Sequence, residues 1–320
     1  MSDITILVPA ALHPHAVERI DRQFRLQSIA KADVSLLDSE TASQVRGIGA
    51  MTRIDAAFID ALPKLEIIAN FGVGYDAVDA KHAALRGVMV TNTPDVLTDE
   101  VADTTIGLLL NTIRELPRAE AWLRAGRWQK EGPYPLTPAT LRGRSVGIFG
   151  MGRIGRAVAA RLEPFGVSIA YHNRRAVEGV SSTYYPSLVE LARNVDTLIA
   201  VAPGGASTEK AVNAAVLQAL GPDGVFVSIG RGSTVDEDAL IEALKSGVIR
   251  SAGLDVFASE PAFDPRFLNL PNACLLPHVG SASVHTRTAM ADLVVDNLES
   301  WFAGKGAITP VPETAHLQKG

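Results

Sequence analysis

The chain has 320 residues, 47% hydrophobic and 20% charged, with a net charge of −5 and one cysteine, Cys274. That length suits two domains with a core each, while the acidic balance without a basic run gives nucleic acid or an anionic membrane no footprint. A lone cysteine excludes an internal disulfide and a cysteine metal cluster, and with neither a basic leader nor a spanning apolar run it fits a reducing cytoplasm; no metal site is expected.

Residues 4–8 read as a strand ended by Pro9, 16–22 as a helix, 47–51 as a buried strand, 56–62 as a helix and 65–69 as a strand. A helix over 79–85 and a strand over 88–90 complete an α/β half wired for parallel pairing. A long helix begins near Thr98, where Asp99 and Glu100 complement its dipole. Ala102, Ile106, Leu109, Leu110 and Ile113 share one face. Leu108, Leu109 and Leu110 in succession exceed what one internal face uses, which points to pairing with a second copy; burial within the monomer is the other reading. Pro117 bends or ends the helix, and residues 132–138 form a loop with three prolines and a glycine.

The stretch Val146-Gly147-Ile148-Phe149-Gly150-Met151-Gly152-Arg153-Ile154-Gly155 organises the second half. An apolar strand, a glycine turn and a helix start place Gly150, Gly152 and Gly155 in the G-x-G-x-x-G pattern. The glycines allow a sharp turn, bring bare backbone to a pyrophosphate and let helix pack on strand, with peptide N–H groups facing the phosphates. Packing alone could use such a turn, but strands over 167–171, 197–201, 225–229, 251–255 and 273–276 supply the sheet a dinucleotide fold needs. An amphipathic helix over about 283–302 follows.

An NAD-preferring site carries a carboxylate at the end of its second strand. Here that strand runs into Asn173-Arg174-Arg175, whose amide and guanidinium groups suit a 2′-phosphate, so NADPH/NADP+ is expected. Arg231, Asp255, Glu260 and His278 all fall at the carboxyl ends of predicted strands, the rim where open α/β sheets bind ligands. Each alone could be a surface charge, a turn residue or a satisfied histidine; together they suggest a catalytic group.

These stretches give the chain a specific resemblance to the D-isomer-specific 2-hydroxyacid dehydrogenases over nearly its full length. It is carried by 70–76, 147–155, 225–232, Gly253-Leu254-Asp255-Val256-Phe257, Glu260-Pro261 and Leu276-Pro277-His278-Val279-Gly280. Tyr184-Tyr185, Val235-Asp236-Glu237 and 289–294 are most similar to the NADPH-dependent glyoxylate/hydroxypyruvate reductases and the plant hydroxyphenylpyruvate reductases.

The resemblance implies two Rossmann-like domains, doubly wound parallel sheets, with the active site in the cleft between them. Residues 1–97 with 287–320 would form the substrate domain and 98–286 the dinucleotide-binding domain. It further implies a small 2-oxo acid held by Arg231 and by the backbone N–H groups of Val73 and Gly74, with His278 the proton donor and Glu260 its partner. Gly150, Met151, Gly152, Arg153, Ile154, Asn173, Arg174, Arg175, Ala202, Pro203, Ile229, Gly230, His278 and Gly280 would contact the cofactor, and Asp255 its carboxamide. Gly204-Gly205-Ala206-Ser207-Thr208 departs from the family turn and leaves the contacts there open. Phe71 and the segment 122–134 are candidates for setting substrate size. The expected product is a D-2-hydroxy acid, and the expected assembly a homodimer.

Other readings stand beside this one. A hydroxyphenylpyruvate reductase shares most of the motifs, and a non-catalytic NAD(H)-sensing corepressor uses the same fold. A formate dehydrogenase would place an amide where Glu260 stands, and a 3-phosphoglycerate dehydrogenase an acidic residue near Asn173.

Overall fold

Strands joined through helices cannot form hairpins, and every named strand pair is parallel in the computed structural model, which describes residues 3–318. The chain divides into two units, one running to Leu97 and resuming at Ser283, the other Thr98–Ala282. Both are Rossmann-like.

The first unit holds β1 (Thr5–Pro9), β2 (Arg25–Ile29), β3 (Val45–Ala50), β4 (Ile67–Asn70) and β5 (Met89–Thr91), in the order β2-β1-β3-β4-β5. Fully buried Ile6, Leu7, Ile48, Ile67, Ile68 and Val90 form the near-continuous apolar runs that a sheet covered on both faces requires. The edge strand β2 escapes the sequence reading because its residues are exposed or half-buried throughout. The helix Val284–Phe302 belongs to this unit from its cap onward, not from residue 287, because the Ser283 hydroxyl accepts the Thr286 N–H and the helix packs on Pro14–Gln23. Arg19 joins those helices, reaching Asp292, Asp296 and Glu299 at 2.7, 2.8 and 2.9 Å.

The second unit holds β6 (Ser145–Phe149), β7 (Ser168–His172), β8 (Thr183–Tyr184), β9 (Thr197–Ala200), β10 (Val225–Ser228), β11 (Ser251–Leu254) and β12 (Ala273–Leu275). Their order, β12-β11-β10-β9-β6-β7-β8, reverses between β6 and β9, and ligands of such sheets bind outside the carboxyl ends at that point.

The consecutive leucines of the helix Thr98–Arg114 are not a spare face: Leu108 and Leu109 are 1% and 0% exposed, and Leu110 packs on the same core. Leu108 lies so close to β11 that a Cβ on Gly253 would come 2.9 Å from its Cγ. The helix ends at Arg114, where Glu115 turns left-handed at φ 51°; Pro117 then falls in the first turn of the next helix, Leu116–Arg124. Exposed apolar surface lies instead on that following segment, at Leu116, Leu123, Trp128 and Leu136.

Candidate active site

The glycine turn after β6 is built from backbone packed on backbone. Gly150 has φ 109°, and a Cβ there would come 2.7 Å from the Ala202 nitrogen at the end of β9. A Cβ on Gly155 would come 2.2 Å from the Gly150 carbonyl oxygen, so the third glycine serves helix–strand packing. Gly152 differs, since a Cβ there would meet nothing within 4 Å. It caps the helix Arg153–Leu162, whose start has no side-chain cap. The turn is therefore tight against its own sheet and open outward, which fits a pyrophosphate laid on a helix N-terminus. The Met151 side chain is buried and Ile154 packs on the core, so both would meet a ligand through main chain.

At the end of β7, Asn173 Oδ1 accepts the Met151 N–H at 2.7 Å, tying the strand end to the turn. Arg174 and Arg175 are exposed and no carboxylate among the described residues pairs with either. A Cβ on Gly230 would come 2.6 Å from the Ala202 carbonyl oxygen, which stacks the ends of β9 and β10 beside the glycine turn. The variant turn after Pro203 is closed by Thr208, whose hydroxyl donates to the Pro203 and Gly205 carbonyls at 2.7 and 3.1 Å.

Next along the sheet, the Ile229-Gly230-Arg231-Gly232 turn is fixed by the Thr234 hydroxyl, which donates to the Arg231 carbonyl at 2.7 Å. A Cβ on Gly232 would sit 1.9 Å from the Phe257 carbonyl carbon and 2.4 Å from the Ala258 nitrogen. The turn carrying Arg231 is thus laid directly on the loop carrying Glu260.

Glu260 joins the two remaining strand ends. Its Oε2 meets His278 Nδ1 at 2.6 Å and its Oε1 accepts the Phe257 N–H at 2.8 Å. Burial alone would raise its pKa; the His278 hydrogen bond, the Phe257 N–H and the charges of His278 and Arg231 outweigh it, so the carboxyl lies below its ordinary value. The two side chains stay 45% and 33% exposed, open to a reactant. A carboxylate on one ring nitrogen orients the imidazole and leaves the other nitrogen to give or take a proton.

His278 is itself left-handed, at φ 54°, a conformation that costs a non-glycine residue on the order of 1–3 kcal/mol and persists only when the surroundings enforce it. Asp255 does so. Its carbonyl accepts the His278 N–H at 2.9 Å, and its carboxylate oxygens accept the Val279 and Gly280 N–H groups at 2.7 and 2.8 Å. Burial pushes its pKa up, against the pull of those two N–H groups. Thr104 adds a hydrogen bond to the Gly280 carbonyl at 3.2 Å, and Ile229 packs beside Gly280. Asp255 is first an anchor of the His278 loop, a role the sequence reading did not give it.

In the first unit, the loop after β4 has the carbonyls of Gly72, Val73 and Gly74 pinned. The Asn70 side-chain amide donates to Gly72 and Gly74 at 3.2 and 3.1 Å, the Asn92 amide to Val73 at 2.8 Å, and the Thr93 N–H also to Gly72 at 2.9 Å. No acceptor among the described residues takes the Val73 or Gly74 N–H. Asn92 and Thr93 carried no local signal, because they act from the end of a different strand. Phe71 is 5% exposed, stacked on His13 at 6.0 Å, and has little surface to offer a substrate. In the second unit Trp122 packs edge-on against Tyr134 at 5.6 Å, under the Arg127 guanidinium.

Among the described residues no group of three or more His, Cys, Asp or Glu could hold a metal ion, and no helix is long and apolar enough to cross a membrane.

Residues 106–280 match the family model described as D-isomer specific 2-hydroxyacid dehydrogenase, NAD binding domain. The chain is 45% identical over 315 residues to a hydroxyphenylpyruvate reductase of Plectranthus scutellarioides, covering 97% of this chain and 100% of that one. It is 42% identical over 314 residues to glyoxylate/hydroxypyruvate reductase A of Arabidopsis thaliana, with coverage of 97% and 100%. The crystal structure of an NADPH-dependent glyoxylate/hydroxypyruvate reductase from Sinorhizobium meliloti, in complex with NADP and malonate, superposes with a TM-score of 0.96 at 58% identity and 98% coverage of both chains. Family match, end-to-end identity and site geometry agree, and the chain belongs to the D-isomer-specific 2-hydroxyacid dehydrogenase family.

Proposed function

We propose that this enzyme reduces a short 2-oxo acid, glyoxylate or hydroxypyruvate, to the D-2-hydroxy acid with NADPH. The observation that carries the reading is the His278–Glu260 pair at 2.6 Å, on a loop laid directly against the Arg231 turn. Bound NADPH supplies a hydride to the carbonyl carbon. The outward-facing Gly152 turn and the start of the helix Arg153–Leu162 hold its pyrophosphate, with Ala202, Pro203, Ile229, Gly230 and Gly280 along the groove. Unpaired Arg174 and Arg175 take the 2′-phosphate, supported by the NADP complex of the Sinorhizobium meliloti relative.

Arg231 grips the carboxylate and carbonyl oxygen of the 2-oxo acid; in the other unit, the Val73 and Gly74 N–H groups are donors that suit a carboxylate. His278 gives its Nε2 proton to the carbonyl oxygen as that oxygen becomes a hydroxyl, while Glu260 holds the ring through Nδ1. The unit Thr98–Ala282 serves the cofactor and also carries Arg231, Glu260 and His278, while the other unit supplies donors for the substrate. Assembly is a homodimer built on the segment after Arg114, whose Leu116, Leu123, Trp128 and Leu136 are 46%, 55%, 60% and 97% exposed, and a stable monomer by light scattering at micromolar concentration refutes it. A reducing cytoplasm suits a chain with one cysteine, Cys274.

A second reading, hydroxyphenylpyruvate reduction, is favoured by the 45% identity to the Plectranthus scutellarioides enzyme. The buried Phe71 ring removes one argument for a small pocket. Measuring kcat/KM with NADPH and NADH across glyoxylate, hydroxypyruvate, pyruvate and 4-hydroxyphenylpyruvate separates the two. The short acids should lie within about two orders of magnitude of each other, with the aryl acid below both. If 4-hydroxyphenylpyruvate gives the highest value, the second reading replaces the first.

A further inference from the structure

Three fastenings hold the loop 255–260, and only two involve residues already given a role. Asp255 anchors its start, and Glu260 closes back on the Phe257 N–H at 2.8 Å. The third is Glu237, whose Oε1 accepts the Ala258 N–H at 2.8 Å. Glu237 is the first residue of the helix Glu237–Ser246, capped by Asp236, and the Asp236 N–H donates to the Val212 carbonyl at 3.0 Å. The segment from Arg231 to Glu237 is therefore stapled by backbone bonds to the stretch just before the helix Ala214–Leu220, since the Val212 N–H also donates to the Thr234 carbonyl at 2.9 Å.

We propose that Glu237 is a positioning residue: by holding the Ala258 N–H it sets the angle at which the Glu260 carboxylate meets His278, and ties that angle to the Arg231 turn. Contact at Gly232 alone limits how near the two loops come but not how far they separate, because backbone packing resists compression and a hydrogen bond resists parting. Phe257 is held on the other side by Phe263 and Phe267, ring centroids 4.8 and 5.9 Å away. Ala258 and Ser259, between that ring and Glu260, have no such side-chain anchor and are exposed. A single bond from Glu237 thus governs the two residues that lead into the carboxylate. The groups facing Glu237 are Asp238, Asp264 and Arg266, and burial pushes its carboxyl up. Its contact with the loop is the hydrogen bond it accepts from the Ala258 N–H.

The inference rests on the proton-donor reading of His278, so His278→Ala is measured in parallel. Glu237→Ala should lower kcat/KM for the 2-oxo acid about tenfold, less than the ~10²-fold of an ångström's misplacement at the reacting centre, with KM for NADPH unchanged. Glu237→Gln, which keeps a carbonyl acceptor of the same length, should restore the rate to within about twofold. Glu237→Asp, one methylene short, should reproduce the loss and decides the matter if the alanine variant does not fold. In a Glu260→Gln background, where the carboxylate being aimed is gone, Glu237→Ala should cost less than twofold, since coupled residues are not additive. Equal losses in both backgrounds, or a Glu237→Ala enzyme at the wild-type rate, overturn the inference. A wild-type rate in His278→Ala sinks the underlying proton-donor reading instead.

Discussion

A methyl group added at Gly232 probes how the Arg231 turn and the Glu260 loop share one wall. The new Cβ would lie 1.9 Å from the Phe257 carbonyl carbon, 2.0 Å from its oxygen and 2.4 Å from the Ala258 nitrogen, all main-chain atoms with no rotamer to yield. To reach even 3.0 Å the two backbones must part by about 1 Å, and an ångström's misplacement near the chemistry costs on the order of 10²-fold. The same crowding should cost ~1–3 kcal/mol of stability, as overpacked sites do. Gly232→Ala should therefore fold, melt a few degrees lower, and lose roughly two decades of kcat/KM for glyoxylate at saturating NADPH. Its affinity for NADPH should hold better, because the glycine turn and the β7 end are built from other contacts. A variant within about threefold of wild type, with an unchanged melting temperature, would show that the two loops do not bear on each other.

His278→Ala should lower kcat by ~10²–10⁴ while NADPH still binds, read by steady-state kinetics and fluorescence titration; an unchanged kcat removes His278 from the reaction. Arg174→Ala should narrow the NADPH over NADH preference by about ten- to hundredfold, the equivalent of ~1.5–3 kcal/mol for a charged contact, and an unmoved ratio sends the 2′-phosphate elsewhere. Because Glu260 is held below its ordinary value of 4.5, the stability it adds is present above that pH and is lost as pH falls through the lower folded value. Urea melts of Glu260→Gln and wild type should thus converge in acid and separate towards neutrality; a constant difference from acid to neutral pH contradicts the assignment.

The parts legible in the sequence are those where one residue's chemistry suffices. Val146, Ile148 and Phe149 announce a buried strand, and the glycines after it announce a turn, because each constraint is local. Arg231, Glu260 and His278 could be placed at strand ends because the strands themselves were readable. What was missed is relational. Arg25–Ile29 lacks any apolar period because it is a solvated edge, and Thr183–Tyr184 is too short to carry one. The leucines at 108–110 looked surplus because a helix packed on a glycine-bearing strand buries a wider arc than a surface helix does. The clamp of Asp255 on Val279 and Gly280, and of Asn92 on Val73, joins residues brought together only by parallel strand order.

The pinned loop after β4 separates what can vary from what cannot. The Val73 and Gly74 N–H groups belong to the backbone, so no side-chain change deletes either one short of proline at that same position, whereas Asn70 and Asn92 hold the shape from outside the loop. A mutational scan should then find tolerance at Val73, whose side chain makes none of these bonds, and intolerance at the two amides that hold its loop. Under the proposed role of the Val73 and Gly74 N–H groups, lineages could exchange neighbouring side chains and drift between acids of different size while those donors stayed in place. Directed libraries aimed at new substrates should leave Asn70 and Asn92 fixed and spend their diversity elsewhere.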